Sequence, residues 1–125
     1  MPVHKGTHDI SFFSKSSVHI ELHYELIEED FLPNSYAILR DVWDTCDRTN
    51  NECRLSDDMF YFYHIAHMAK HYLHGGCGVR PFIDTRILKE HAMASSALLE
   101  KGGLKRFDSA VQSLTDVWFD NAKPT

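Results

Sequence analysis

The sequence predicts an α+β fold, an N-terminal antiparallel β-hairpin packed on a mostly helical bundle of about five helices. Three observations carry this. Val18–Leu26 alternates strictly: Val18, Ile20, Leu22, Tyr24 and Leu26 share one face, and His19, Glu21, His23 and Glu25 the other, which is the period of a strand. Between Asp57 and His74 the apolar residues follow a helical period instead. There His64, His67, His71 and His74 fall within roughly 80° of arc, one polar stripe on a helix that is otherwise apolar nearly all round. Finally, Leu104, Phe107, Val111, Leu114, Val117 and Trp118 recur at the spacing of a second long amphipathic helix.

The elements follow in order. Residues 1–6 read as a leader without structure of its own. Asp9–Phe13 and Val18–Leu26 form the hairpin around Ser14-Lys15-Ser16-Ser17, with the apolar face of the second strand expected under the helices. Ile27–Asn34 is a loop ended by Pro33, after which Asn34 or Ser35 caps a helix with Leu39, Val42, Trp43 and Cys46 at core spacing. The polar run Asp47–Arg54 is a connector. Ser56 caps the histidine helix, Asp57 and Asp58 suit its positive end, and Gly75-Gly76 stops it. Pro81 suits the first turn of a helix through roughly His91, with Phe82, Ile83 and Ile87 expected buried. A short helix over Ala94–Lys101 stops at Gly102-Gly103, the final long helix follows, and residues 121–125 form a tail. The organisation is therefore a strand region, 1–26, and a helical region, 27–125.

With 125 residues and 43% apolar composition, the chain has the size and make-up of one folded domain. A formal charge of −5, with scattered Lys and Arg, excludes the basic footprint of a nucleic-acid binder. Three cysteines, Cys46, Cys53 and Cys77, are an odd number without a CxxC pair, so free thiols in a reducing compartment are expected. No apolar run is long enough to span a membrane, and the polar N-terminus has no signal-peptide core. The expected location is cytoplasmic.

The histidine stripe has two readings. Neighbouring imidazoles on one helix face can share a metal ion, yet His64 and His74 are about 15 Å apart along the axis and cannot meet at one centre. A hydrogen-bonded polar cleft wall, without tightly bound zinc, is the favoured reading. A metal centre would need a third ligand such as His23 or Asp84 beside His67 and His71. Arg86 and His91 match the Arg-x4-His spacing of HEPN-type ribonucleases, a pattern that nine histidines produce easily by chance. Arg80 and Asp84, four apart, are either a surface ion pair or a place where a guanidinium meets phosphate.

Taken together, VHIELHYEL, HIAHMAKHYLHGGCGVRPFID and GGLKRFDSAVQSLTDVWF resemble, in order and from about Gly6 to Phe119, the uncharacterised nucleotidyltransferase family, of the polymerase-beta-type superfamily. In that superfamily a Gly-Ser turn and an Asp-x-Asp pair precede a third carboxylate on a later strand, and the carboxylates hold two magnesium ions. The resemblance implies that Glu21 is this third carboxylate, catalytic and metal-binding, with His23 its neighbour on the substrate side. His67, Lys70 and His71 match the family pattern HMAKH, and Arg80 and Asp84 the next one, as substrate-binding residues. The implied cofactor is magnesium, and the implied partners are a nucleoside triphosphate and an acceptor. The chain contains no Gly-Ser dipeptide, and Glu28-x-Asp30 is the nearest approach to Asp-x-Asp. It therefore resembles the C-terminal portion of such a protein and is expected to be inactive alone. If this portion walls a cleft, His67 and His71 lie on Glu21's side, with Arg80 near one end. The alternative from another class is a non-catalytic module pairing with a second chain through the exposed hairpin edge, as a toxin–antitoxin partner does. A HEPN-like ribonuclease is the weaker alternative.

Overall fold

A computed structural model describes residues 3–6, 9–30 and 32–121. The fold is α+β, as predicted. Strands β1 (Val3–Lys5), β2 (Asp9–Phe13) and β3 (His19–His23) form an antiparallel sheet in the order β1-β2-β3. The β2–β3 hairpin closes where the Val18 N–H donates to Ser14 Oγ at 3.0 Å and the Ser14 N–H to the Val18 carbonyl at 2.9 Å. β1 corrects the expectation of an unstructured leader: Val3, His4 and Lys5 pair with Phe12, Ser11 and Ile10. Three residues are too few to show a period, so only pairing reveals this strand. The Tyr24 hydroxyl donates to the Gly6 carbonyl at 2.7 Å and pins the end of β1.

The sheet also reverses one expectation. Val18, Ile20 and Leu22, expected under the helices, are 52%, 48% and 57% exposed. The helical part is met at the end of the strand run instead, where Ile27 is fully buried and Leu26 packs partly against the core. Period two shows which residues share a face, but not which face meets the rest of the protein.

The helical part begins with α1 (Pro33–Leu39), which starts at Leu32 with Pro33 in its first turn rather than at Asn34 or Ser35. Ser35 is buried instead, its hydroxyl donating to the Gly102 carbonyl at 2.7 Å. The single turn α2 (Val42–Thr45) is offset from α1 at Arg40–Asp41, so Val42 is buried while Trp43 is 38% exposed. The stretch read as a connector is a second hairpin, β4 (Asp47–Thr49) with β5 (Glu52–Arg54), turning at Asn50 with φ 55°. Across its base Cys46 and Cys53 form a disulfide with Cα atoms 5.8 Å apart, well inside the range a disulfide requires. This overturns the expectation of three free thiols, since an odd count accommodates one pair and one thiol, here Cys77.

The central helix α3 (Asp57–Leu73) buries Tyr61, Phe62, Ile65, Ala66, Met68 and Ala69. At its end the Gly76 N–H donates to the His71 carbonyl at 3.0 Å and the Gly75 N–H to Tyr72 at 3.2 Å. That is the paired pattern which terminates helices through a left-handed residue, and both glycines have positive φ. Tyr72 and Leu73, in the last turn, are exposed, so the apolar cover of α3 is incomplete there. Around it pack α4 (Arg80–Leu88), α5 (Ser96–Lys101) and α6 (Lys105–Phe119). Ser95 caps α5, its hydroxyl accepting from the Leu98 N–H at 3.1 Å. Gly102 is required by proximity: a Cβ there would lie 2.4 Å from the Phe62 ring.

Two faces differ from expectation. Ile83 and Ile87 on α4 are 44% and 55% exposed, and Thr85 is the buried residue. On α6 the buried positions are Asp108, Val111 and Thr115, whereas Trp118 is 47% exposed. Apolar periodicity misses this because two of the buried residues are polar. Their polar atoms are paired, as burial demands: Asp108 accepts from the Tyr61 hydroxyl at 2.6 Å and the Gln112 amide at 2.8 Å, and Thr115 donates to the Val111 carbonyl at 2.7 Å. Among the described residues no helix is long and apolar enough to cross a membrane. The tail beyond residue 121 and the first two residues of the leader lie outside the described residues.

Candidate functional site

Alternation on β3 sets His19, Glu21 and His23 on one face. The Glu21 carboxylate lies between its neighbours, with Oε1 3.5 Å from His19 Nε2 and Oε2 3.6 Å from His23 Nε2. Register with β2 adds a residue that sequence reasoning missed. Asp9 pairs directly with His23, and Ser11 with Glu21, so Asp9 shares their face. One ligand atom from each of Asp9, Glu21 and His23 lies within 4.8 Å of the others. In β2, Asp9-Ile10-Ser11-Phe12 alternates and puts Asp9 and Ser11 on one face, but alternation within one strand does not say that this is the face of Glu21 and His23. The available signal was the short hairpin loop, which fixes the register once its closing pair is chosen.

The second component is on α3, where the four histidines divide. His64 turns to α4, its Nε2 2.8 Å from Thr85 Oγ1 and 3.2 Å from the Pro81 carbonyl. Burial lowers its pKa, partly offset by that carbonyl and by the Asp84 charge. His74 caps the helix end, with Nδ1 2.7 Å from the Lys70 carbonyl. His67 and His71 form a pair, Nε2 to Nε2 at 3.2 Å with the rings edge-on, an arrangement in which one nitrogen donates and the other accepts. Burial, then the charges of His71, Lys70, His64 and His23, bring the His67 pKa down to about 4. His23 on the sheet is thus within electrostatic reach of His67 on the helix. Lys70 Nζ lies 3.8 Å from Glu28 Oε1, in a largely buried pair.

The remaining candidates lie on α4. Arg80 and Asp84 are exposed, and among the described residues no ion pair joins them. Asp84 lies beside His64, with which it lines a shallow concavity together with Phe60, Ile87 and Leu88. Arg86 is engaged by Glu90 and Asp120. The three-ligand centre considered for His67 and His71 does not assemble: among the described residues the only three-ligand group is Asp9, Glu21 and His23. A concavity of about 550 Å³ lies elsewhere, lined by residues of α1, α2, α3 and α5 and by Asp41, and the ionisable side chains in its lining are Asp41 and Lys101. Volume there is unaccompanied by chemistry, so the sheet face and the His67–His71 pair remain the better candidate site.

Two carboxylates and an imidazole at one place are a donor set for one divalent cation, and too few ligands for two. Magnesium fits the carboxylates of Asp9 and Glu21, whereas an imidazole beside them favours a softer ion.

No curated protein and no solved structure matches the chain. Residues 2–120, nearly its whole length, match a family described as uncharacterised nucleotidyltransferase. The motifs around Glu21, His67 and Arg80 all fall inside that span, and the chain belongs to the uncharacterised nucleotidyltransferase family.

Proposed function

We propose that this chain forms one wall of the nucleotide- and acceptor-binding cleft of a nucleotidyltransferase, with Glu21 as its metal-binding carboxylate. The observation that supports this most directly is the donor group on the sheet, where Asp9, Glu21 and His23 each offer a ligand atom within 4.8 Å of the others; the His23 charge also acts on His67 of α3. Bound magnesium would activate an attacking hydroxyl and steady the leaving pyrophosphate. The chain's own residues then have distinct tasks. Glu21 and Asp9 offer carboxylate oxygens to one cation. His67, neutral at physiological pH, and its partner His71 offer hydrogen bonds. Lys70 and Arg80 supply positive charge toward phosphate, Lys70 from a position steadied by Glu28. His23 and Asp84 complete the polar lining. Because the sequence contains neither Gly-Ser nor Asp-x-Asp, the chain by itself is expected to transfer no nucleotide.

The test is an amide and imidazole NMR titration with MgATP and MgGTP at millimolar concentration. Shifts clustering on Glu21, His23, His67 and His71, and lost in Glu21→Gln, are the expected outcome. Shifts confined to the groove lined by Asn34 and Lys101, or none, would sink the cleft reading.

A second reading, a non-catalytic module that pairs with another chain, is favoured by one observation: the exposed apolar face of β3. Gel filtration tests the self-pairing form of this reading: elution as a monomer at high concentration removes a second copy of this chain as the partner.

A further inference from the structure

We infer that Asp9, Glu21 and His23 form a binding site for a single zinc-class divalent cation, with Zn²⁺ or Co²⁺ preferred to Mg²⁺. This goes beyond the magnesium role proposed for Glu21: it concerns the chain's own affinity and requires no nucleotide transfer. Geometry supports it first. Asp9 and His23 are a direct cross-strand pair, Glu21 stands two residues along the same face, and their ligand atoms lie within 4.8 Å of one another. Glu21 Oε2 and His23 Nε2 are 3.6 Å apart, and two ligands of one ion with bonds of about 2.0–2.2 Å lie about 3–4 Å apart. Small rotamer adjustments are therefore enough to bring all three onto one ion.

The surroundings shape both carboxylates. The Asp9 carboxylate packs against Gly6 so closely that a Cβ at Gly6 would lie 2.7 Å from Asp9 Oδ1. A bare backbone at that position leaves the room this carboxylate occupies. The other oxygen of Glu21 faces His19 at 3.5 Å, an outer contact of the kind that orients a ligating carboxylate. Donor chemistry then selects the ion. Magnesium takes oxygen ligands and sheds its water reluctantly, whereas imidazole suits zinc and its neighbours. Two carboxylates balance the charge of a divalent ion. Because Glu21 and His23 are partly exposed, 45% and 41% at the side chain, the ion keeps open positions for water or a phosphate oxygen.

The experiment uses the purified chain, stripped of metal by a chelator and titrated with Co²⁺, whose visible absorption reports nitrogen and oxygen ligation, and then with Zn²⁺ in competition. One equivalent is expected to bind, to yield to Zn²⁺ and to resist millimolar Mg²⁺. Asp9→Asn and His23→Gln are each expected to weaken binding at least tenfold, and Gly6→Ala to weaken it by displacing Asp9. Circular dichroism confirms that each variant is folded. Absence of Co²⁺ and Zn²⁺ binding overturns the inference, as does displacement by millimolar Mg²⁺. So does binding that survives Asp9→Asn and His23→Gln but is lost in His71→Gln, which would place the ion on the His67–His71 pair. Nucleotide-induced shifts are read separately, so the cleft reading can fail while the metal site stands, and the reverse.

Discussion

Burial and the charges of His71, Lys70, His64 and His23 hold the His67 imidazole at a pKa of about 4, against an ordinary 6.5. The folded chain therefore refuses a proton that the unfolded chain accepts. Above pH 6.5 both states are neutral and His67 contributes nothing to the pH dependence. As pH falls from 6.5 toward 4, the unfolded state is favoured progressively, by at most about 3 kcal/mol once His67 alone is considered. His64, lowered by its own burial, acts in the same direction. Denaturant unfolding at a series of pH values is expected to show stability falling across this window, with a shallower fall in His67→Gln. An unchanged slope in that variant would mean His67 titrates normally. At this scale the sequence was informative about type and uninformative about partners. Alternation exposed Glu21 and His23, and helical spacing exposed the histidine stripe. Asp9 became a site residue only through register, and His64 and His74 left the stripe only because Thr85 and the Lys70 carbonyl take their nitrogens.

Elements with chemical punctuation at both ends were legible. The histidine helix was bounded by Ser56 and Gly75-Gly76, and α3 runs between them. The break between α1 and α2 has neither glycine nor proline to mark it, so one helix was expected where two short ones stand. The β4–β5 hairpin was hidden for a different reason: DRTNNECR is polar on both faces and shows no buried alternation. Its stability rests in part on the Cys46–Cys53 disulfide, which closes a short loop of sequence separation 7. Chain-entropy reasoning assigns such a loop about 2 kcal/mol. The double variant Cys46→Ser/Cys53→Ser is expected to lose about that much in a denaturant melt. Alkylation of the unreduced, unfolded protein is expected to label Cys77 alone. Labelling of all three cysteines would remove the disulfide from the account.

At the scale of the whole molecule, the last strand of the sheet is covered on neither face. An antiparallel sheet with one wet face ordinarily keeps its apolar side chains inward. Here both faces of β3 are open: Ile20 and Leu22 on one and His19, Glu21 and His23 on the other are all exposed, and on the charged face only Ser11 of β2 is buried. The fold class was legible because periodicity separates strand from helix, but orientation depends on what packs where, and no period encodes that. The arrangement makes a definite prediction about Ile20 and Leu22. Were they core residues, replacing both by lysine would cost several kcal/mol and unfold the chain. Each instead loses only its cross-strand partner, Phe12 for Ile20 and Ile10 for Leu22, contacts worth roughly 0.2–1 kcal/mol apiece. Ile20→Lys/Leu22→Lys is therefore expected to shift the unfolding free energy by about 1 kcal/mol and to retain the circular dichroism of the parent. It is also expected to reduce any concentration-dependent self-association seen by gel filtration. A loss of more than about 3 kcal/mol would show that this face is packed after all.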